Sequence, residues 1–236
     1  MEEVMPQGEA QPLGPSLRVE ATLVSKLSLA DLQNAIPPLR ELGIVNDSEQ
    51  EAKDLELTVL SVPAFLKPKT WRVDQVGAGQ RVQLADLDIQ LDPALLTRLT
   101  EAEKATVSFI LRRKSEPSEA LSRLDCVVEL LPRNQWGGLS HLPDLAAAFV
   151  QPNEPAVERL LKQTAEILRK SGKNPALDGY SGGPKRAWEL ASGIWSAVVA
   201  MGLDYALPPA SFEHAGQKVR GPVQIAESGL ATCFDA

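Results

Sequence analysis

Cysteine and histidine are scarce: the chain holds two of each, Cys126 with Cys233 and His141 with His214. The cysteines lie far apart and show no Cys-x-x-Cys spacing, which excludes the common zinc and redox motifs and fits a reducing compartment. A zinc site would need carboxylates to complete it, so neither metal nor cofactor is expected. Long apolar runs are missing as well, since nothing approaches the ~18 residues of a membrane-spanning helix. Residues 1–13 are acidic and rich in Pro, Gly and Gln, unlike a basic-then-apolar signal peptide. These absences lead to the expectation of a cytoplasmic chain without a membrane partner.

Positive charge is also short. The formal net charge of -7 gives no overall attraction to phosphate and excludes the whole chain as a general nucleic-acid binder. No Walker motif, dinucleotide-binding glycine pattern, Gly-x-Ser-x-Gly elbow or His-Glu-x-x-His helix occurs.

What remains is an ordinary globular composition, with 44% hydrophobic and 23% charged residues over 236 positions. Residues 1–14 lack periodicity and read as a flexible arm. From Leu17 apolar side chains alternate (Leu17, Val19, Ala21, Leu23), the period-two signal of a half-buried strand. Residues 28–42 read as a turn of helix or an irregular connection, interrupted by Pro37 and Pro38. Further strands are expected at 55–62, 70–76, 80–91, 105–111 and 126–130, with a bulge or bend near Ala85 and Asp86. Roughly seven short strands with turn signals and no long crossover helices favour an antiparallel, Ig-like β-sandwich over residues 15–133.

After Pro132 the texture becomes helical, and Gly137-Gly138 is the best internal boundary. A short helix over 143–150, with Ser140 available as its cap, is expected first. A longer helix begins near Pro155, carries Val157, Leu160, Leu161, Thr164, Ala165 and Leu168, and stops at Ser171-Gly172. Pro184 opens the next helix, whose stripe Trp188, Ala191, Trp195 and Val198 is expected to anchor a core until Gly202 closes it. The fold class is therefore α+β: a sandwich, then a small helical subdomain over 134–236, ending in an extended segment.

Two places could carry chemistry. Ser181-Gly182-Gly183, followed by Pro184, Lys185 and Arg186, offers backbone N–H groups, a helix start and two cations, the parts of an anion-binding entrance. Cys233 is the other, because a thiol at the start of a helix has its thiolate favoured by aligned N–H groups. Catalysis there needs a histidine base, and His214 is the nearby upstream candidate.

The phrases ELLPRNQWGGL, PDLAAAFVQPNEPAVERLLK and GLDYALPPASFEHAGQKVRGPVQIAESGLATCFD, together with FLKPKTWRV and LADLDIQLDPALL, resemble the N-terminal region of large bacterial multidomain proteins that carry a superfamily I helicase and a nuclease-like region. The resemblance spans most of the chain after about residue 16. It implies DNA transactions, with a role in phage defence, carried out by parts of the protein further on. The Thr-Cys-Phe-Asp phrase is similar to the nucleophile segment of a transglutaminase-like or papain-like fold, which makes Cys233 the nucleophile position and Thr232 and Asp235 its neighbours. Ala231 stands where that pattern has glycine, and the histidine-bearing half is expected downstream. The resemblance thus implies a truncated transglutaminase-like region within 134–236.

Two functions are expected from this reading. One is a noncatalytic binding or targeting module whose partner is another protein or downstream domains of the same polypeptide, with nucleic acid reached through the larger protein. The other is the leading half of a cysteine peptidase, inactive without its downstream histidine.

Overall fold

A computed structural model of the protein describes residues 10–12, 17–139 and 141–235. It is a mixed α+β structure, about 34% strand and 29% helix, with several sheets and no closed barrel among the described residues. The chain divides into two compact units, residues 1–137 and 138–236.

The first unit begins with β1 (Ala10–Pro12), β2 (Leu17–Leu23), β3 (Lys26–Leu27), α1 (Leu29–Gln33) and β4 (Leu39–Asn46). It continues through β5 (Ala52–Val62), β6 (Lys69–Val76), β7 (Arg81–Gln83), α2 (Pro93–Arg98), β8 (Glu103–Arg113), β9 (Glu116–Leu130) and β10 (Gln135–Trp136). One sheet runs β1-β9-β8-β5-β6, with β3 added parallel to β9; another runs β2-β4-β7. Their inward side chains meet in one core that includes Val19, Ile44, Leu57, Trp71, Phe109 and Leu130. In β8 the alternate residues Val107, Phe109 and Leu111 are fully buried, each contributing about 2–3 kcal/mol of hydrophobic stabilisation.

Several expectations shift here. Residues 28–42 resolve into a helix and a strand. Ser28 caps α1 reciprocally with the buried Asp31, and the chain enters β4 at Leu39, immediately after Pro37-Pro38. The strand expected over 80–91 is shorter. β7 pairs with β4 through Gln83, the Leu84 N–H makes a last bond to the Leu42 carbonyl (2.9 Å), and the chain then leaves that sheet: the Trp71 indole donates to the Asp86 carbonyl (2.7 Å), and Leu66 bridges Leu91. Of the arm expected at 1–14, Ala10–Pro12 pairs antiparallel with β9; the rest lies outside the described residues.

The second unit opens with a 3₁₀ turn at Pro143–Phe149, where a short helix was expected. Its expected cap, Ser140, lies outside the described residues. Then come α3 (Pro155–Lys170), α4 (Gly183–Ala200), β11 (Asp204–Tyr205), α5 (Phe212–Ala215), β12 (Gln217–Lys218), α6 (Pro222–Ser228) and β13 (Leu230–Ala231). Proline at the first turn starts α3, α4 and α6, as its fixed φ and missing N–H suit that position. Helices α3 and α4 pack together through Thr164 and Leu168 on one side and Leu190, Gly193 and Ala197 on the other.

The tryptophans correct the expected core. Trp188 is 75% exposed and Trp195 70% exposed, so neither anchors the packing of α4. The buried face of that helix is instead Arg186, Leu190, Gly193 and Ala197. Both faces of α4 carry apolar side chains, and the smaller residues are the ones that let α3 approach closely.

Candidate functional site

The segment around Cys233 is built from short elements. Gly229, in the left-handed region at φ 69°, ends α6 and turns the chain into β13, which runs parallel to β11 with Tyr205 opposite Ala231. The pairing is held by Asp204 N to Gly229 O (2.8 Å) and Ala206 N to Ala231 O (2.9 Å). Beyond β13, Thr232 and Asp235 cap one turn reciprocally. The Thr232 hydroxyl accepts from the Asp235 N–H at 3.3 Å, and the Asp235 carboxylate accepts from the Thr232 N–H at 2.9 Å. Cys233 is thereby the second residue of a single hydrogen-bonded turn, closed by the Asp235 N–H on the Thr232 carbonyl at 3.2 Å, and it is exposed to solvent.

Asp235 is the electrostatic centre of this corner. Its side chain is fully buried, and it accepts from the Arg220 backbone N–H (2.9 Å) and guanidinium (2.8 Å). Burial pushes its carboxyl upward, but the hydrogen bonds from Thr232 and Arg220 outweigh that and hold it below the usual carboxylate range. Gln217 donates to the Thr232 hydroxyl at 3.2 Å, tying β12 to the same cap.

The group beside the thiol is a phenol. Tyr205 lies beside Cys233, and its hydroxyl is pushed above its ordinary value by burial and by the neighbouring sulfur. Sequence reasoning missed Tyr205, the pairing of Arg220 with Asp235, and the cap. The Thr-x-x-Asp spacing is itself a legible N-terminal capping signal; the parallel pairing of β11 with β13 that brings Tyr205 close is not. His214, the base candidate, sits exposed in the last turn of α5. His141 is buried. No group of three or more His, Cys, Asp or Glu able to hold a metal occurs among the described residues.

Arg186 has a different role from anion capture. Its guanidinium donates to Asp178 (2.9 Å), Glu189 (3.3 Å), the Asn174 carbonyl (2.9 Å) and the Ala176 carbonyl. The side chain is only 9% exposed, and hydrogen bonding to Asp178 raises its pKa further. Every direction of the guanidinium fork is directed at the 174–178 loop or at Glu189, so Arg186 pins that loop to α4. Lys185 alone of the expected pair faces solvent.

The outer face of α4 is the most conspicuous surface of this unit. Trp188, Ser192, Trp195 and Val199 are all exposed, and no charged residue occurs between Glu189 and Asp204. In the first unit, an open groove of about 740 Å³ is lined by Glu56, Thr70, Trp71, Arg72, Leu84 and Asp86. Its charges are already paired, Arg72 with Glu56 at 3.6 Å and Lys69 with Asp86 at 2.7 Å.

Among the described residues no helix is long and apolar enough to cross a membrane. Comparison with protein-family models and with curated proteins gave no match.

Proposed function

We propose that the chain is a noncatalytic protein-binding module, its first unit an Ig-like sandwich, that positions a larger bacterial DNA-processing protein of helicase and nuclease type in the cytoplasm. The observation that carries the binding part is the solvent-facing stripe of α4. Two tryptophans exposed at 75% and 70% on one helix face are an uncommon liability for a monomer and the residue type in which binding energy concentrates. The DNA-processing context rests on the resemblance of the ordered phrases from Val128 onward, and nucleic acid is reached through the larger protein.

Capture from a lysate of the native host, with the full chain as bait, tests this reading. A specific protein retained by the wild type and lost with Trp188→Glu/Trp195→Glu is the expected result. Equal capture by both forms defeats it.

One observation favours a second reading, the leading half of a transglutaminase-like cysteine peptidase. Cys233 directly follows Thr232, whose hydroxyl accepts from the Asp235 N–H, and its thiol is exposed to solvent where a substrate could reach it. Iodoacetamide labelling at neutral pH decides it: rapid modification abolished by Cys233→Ser supports chemistry, and a free-thiol rate removes it.

A further inference from the structure

In the first unit, β6 is the last strand of the sheet β1-β9-β8-β5-β6 and pairs on one side only, with β5. Among the described residues, none from Lys69 to Val76 makes a main-chain hydrogen bond outside that pairing. Every second N–H and C=O of the strand therefore points outward, the template on which another strand adds. The open groove lined by Thr70, Trp71 and Arg72 leaves that edge reachable from solvent. No proline or glycine interrupts the strand.

Charge marks the same edge. Arg72 and Asp74 are both exposed, on either side of the buried Val73. The Arg72 side chain lies 76% in solvent and reaches Glu56 only at 3.6 Å. Asp74 stands across from Asp54, between the paired positions Leu55 with Val73 and Lys53 with Gln75, and neither carboxylate has an ion-pair partner among the described residues. Like charges facing each other across a strand pair are destabilising, and Lys53 beside them is held by Glu51 at 3.0 Å. The edge thus carries a loosely held cation two positions from an unneutralised anion.

We propose that the occupant of this edge is β6 of a second copy of the chain, added antiparallel about a two-fold axis at Val73, so that two sheets become one. Facing residues of an antiparallel pair either both turn their N–H and C=O toward the partner or both turn them away, so a symmetric pairing is centred on a residue and never between two. Centring on Arg72 sets Arg72 against Arg72, and centring on Asp74 sets Asp74 against Asp74. Centres nearer either end shorten the paired stretch to residues 69–73 or fewer. Centring on Val73 pairs residues 70–76 and sets Arg72 of each copy opposite Asp74 of the other, twice. Facing Cβ atoms then lie roughly 4.5–5.5 Å apart, within reach of an arginine and an aspartate. Each Asp54 and Asp74 pair gains the other copy's guanidinium. No residue of α4 takes part, so this pairing stands or falls independently of the binding-module reading.

Sedimentation equilibrium of the full chain across about 0.1–100 μM, the range that brackets a micromolar Kd, is the test. The mass is expected to rise from 25.5 kDa toward twice that value, and amide exchange over residues 69–76 to slow across the same range. Arg72→Asp and Asp74→Arg, both at exposed positions and checked for an unchanged circular dichroism spectrum, are each expected to weaken self-association by about tenfold or more, because like charges then face each other twice. Mixed one to one, the two variants are expected to associate with each other as tightly as the wild type does with itself, since both pairs in the mixed dimer are again of opposite charge. A merely structural effect of either substitution is not cured by mixing. A single-chain mass at every concentration overturns the proposal and leaves the edge to a strand of another protein. A dimer indifferent to both substitutions overturns it as well, and so does a mixture that associates no more tightly than either variant alone.

Discussion

Gly193 of α4 faces Leu168 of α3 so closely that a Cβ on the glycine would lie 3.1 Å from the leucine Cδ2 and 3.2 Å from Thr164 Cγ2. Glycine in mid-helix costs about 1 kcal/mol relative to alanine, so its presence marks the point where the two helices touch. Replacement by leucine would drive extra methyl groups into a filled contact. Gly193→Leu is expected to destabilise the second unit by about 1–3 kcal/mol, read as a lower midpoint in urea unfolding with an unchanged slope.

That contact also shows why the sequence pattern misplaces the tryptophans. Helical periodicity reveals an apolar stripe, but α4 has one on each side, and pattern alone favours the larger residues. Arg186 on the buried side further disguises the packed face, because its guanidinium is satisfied by a loop that precedes the helix. Among the strands, β2, β5 and β6 are legible because one face is buried and the other wet, whereas β8, buried from Val107 to Leu111, shows itself only through the larger apolar residues Val107, Phe109 and Leu111. In β4 the residues from Leu42 to Asn46 are all buried, so alternation vanishes. The first half of β9 is exposed and charged, and nothing in Glu116, Ser118 or Glu119 signals a strand. The Cys233 corner is half legible: Thr232 and Asp235 share a capping spacing, whereas Tyr205 and Arg220 arrive only through β11 and the segment before α6.

Arg186 should behave as a structural clamp. Lysine cannot reproduce a planar fork that reaches two carbonyls and two carboxylates, so Arg186→Lys and Arg186→Ala are both expected to free residues 174–178. Limited proteolysis should then cut that loop on the order of tenfold faster, in line with a local opening equilibrium. An anion-binding role would instead leave the loop protected and show itself as lost affinity for phosphate.

The two thiols should separate cleanly. Cys126, 2% exposed within β9, has its pKa pushed up to about 11 by burial and then by the Asp125 charge. A disulfide reagent at neutral pH is expected to titrate Cys233 in the native protein and Cys126 only after unfolding. The same shift sets a pH dependence. The folded state keeps Cys126 protonated, so its contribution is complete below the unfolded value of ~8.5 and falls as pH rises toward 11. By pH 10 the loss reaches about 2 kcal/mol, and Cys126→Ala is expected to lack it.

Asp235 gives the opposite sign. Its folded pKa is depressed, so the stability it supplies is present above the unfolded value of ~3.9 and is lost as pH falls through the folded one. At neutral pH, Asp235→Asn leaves Arg220 without its buried anion and breaks the reciprocal cap with Thr232. A loss of about 2–3 kcal/mol is expected. Below pH 4 the wild type loses this advantage as Asp235 takes up its proton, and the two proteins should converge in urea midpoint. A gap that stays constant from pH 7 into acid would show that the carboxylate charge contributes nothing to the cap or to the hold on Arg220. If Cys233 depends on this cap for its position, the Asp235→Asn variant should also lose the Tyr205 contact, readable as a Tyr205 titration that moves down toward that of free tyrosine.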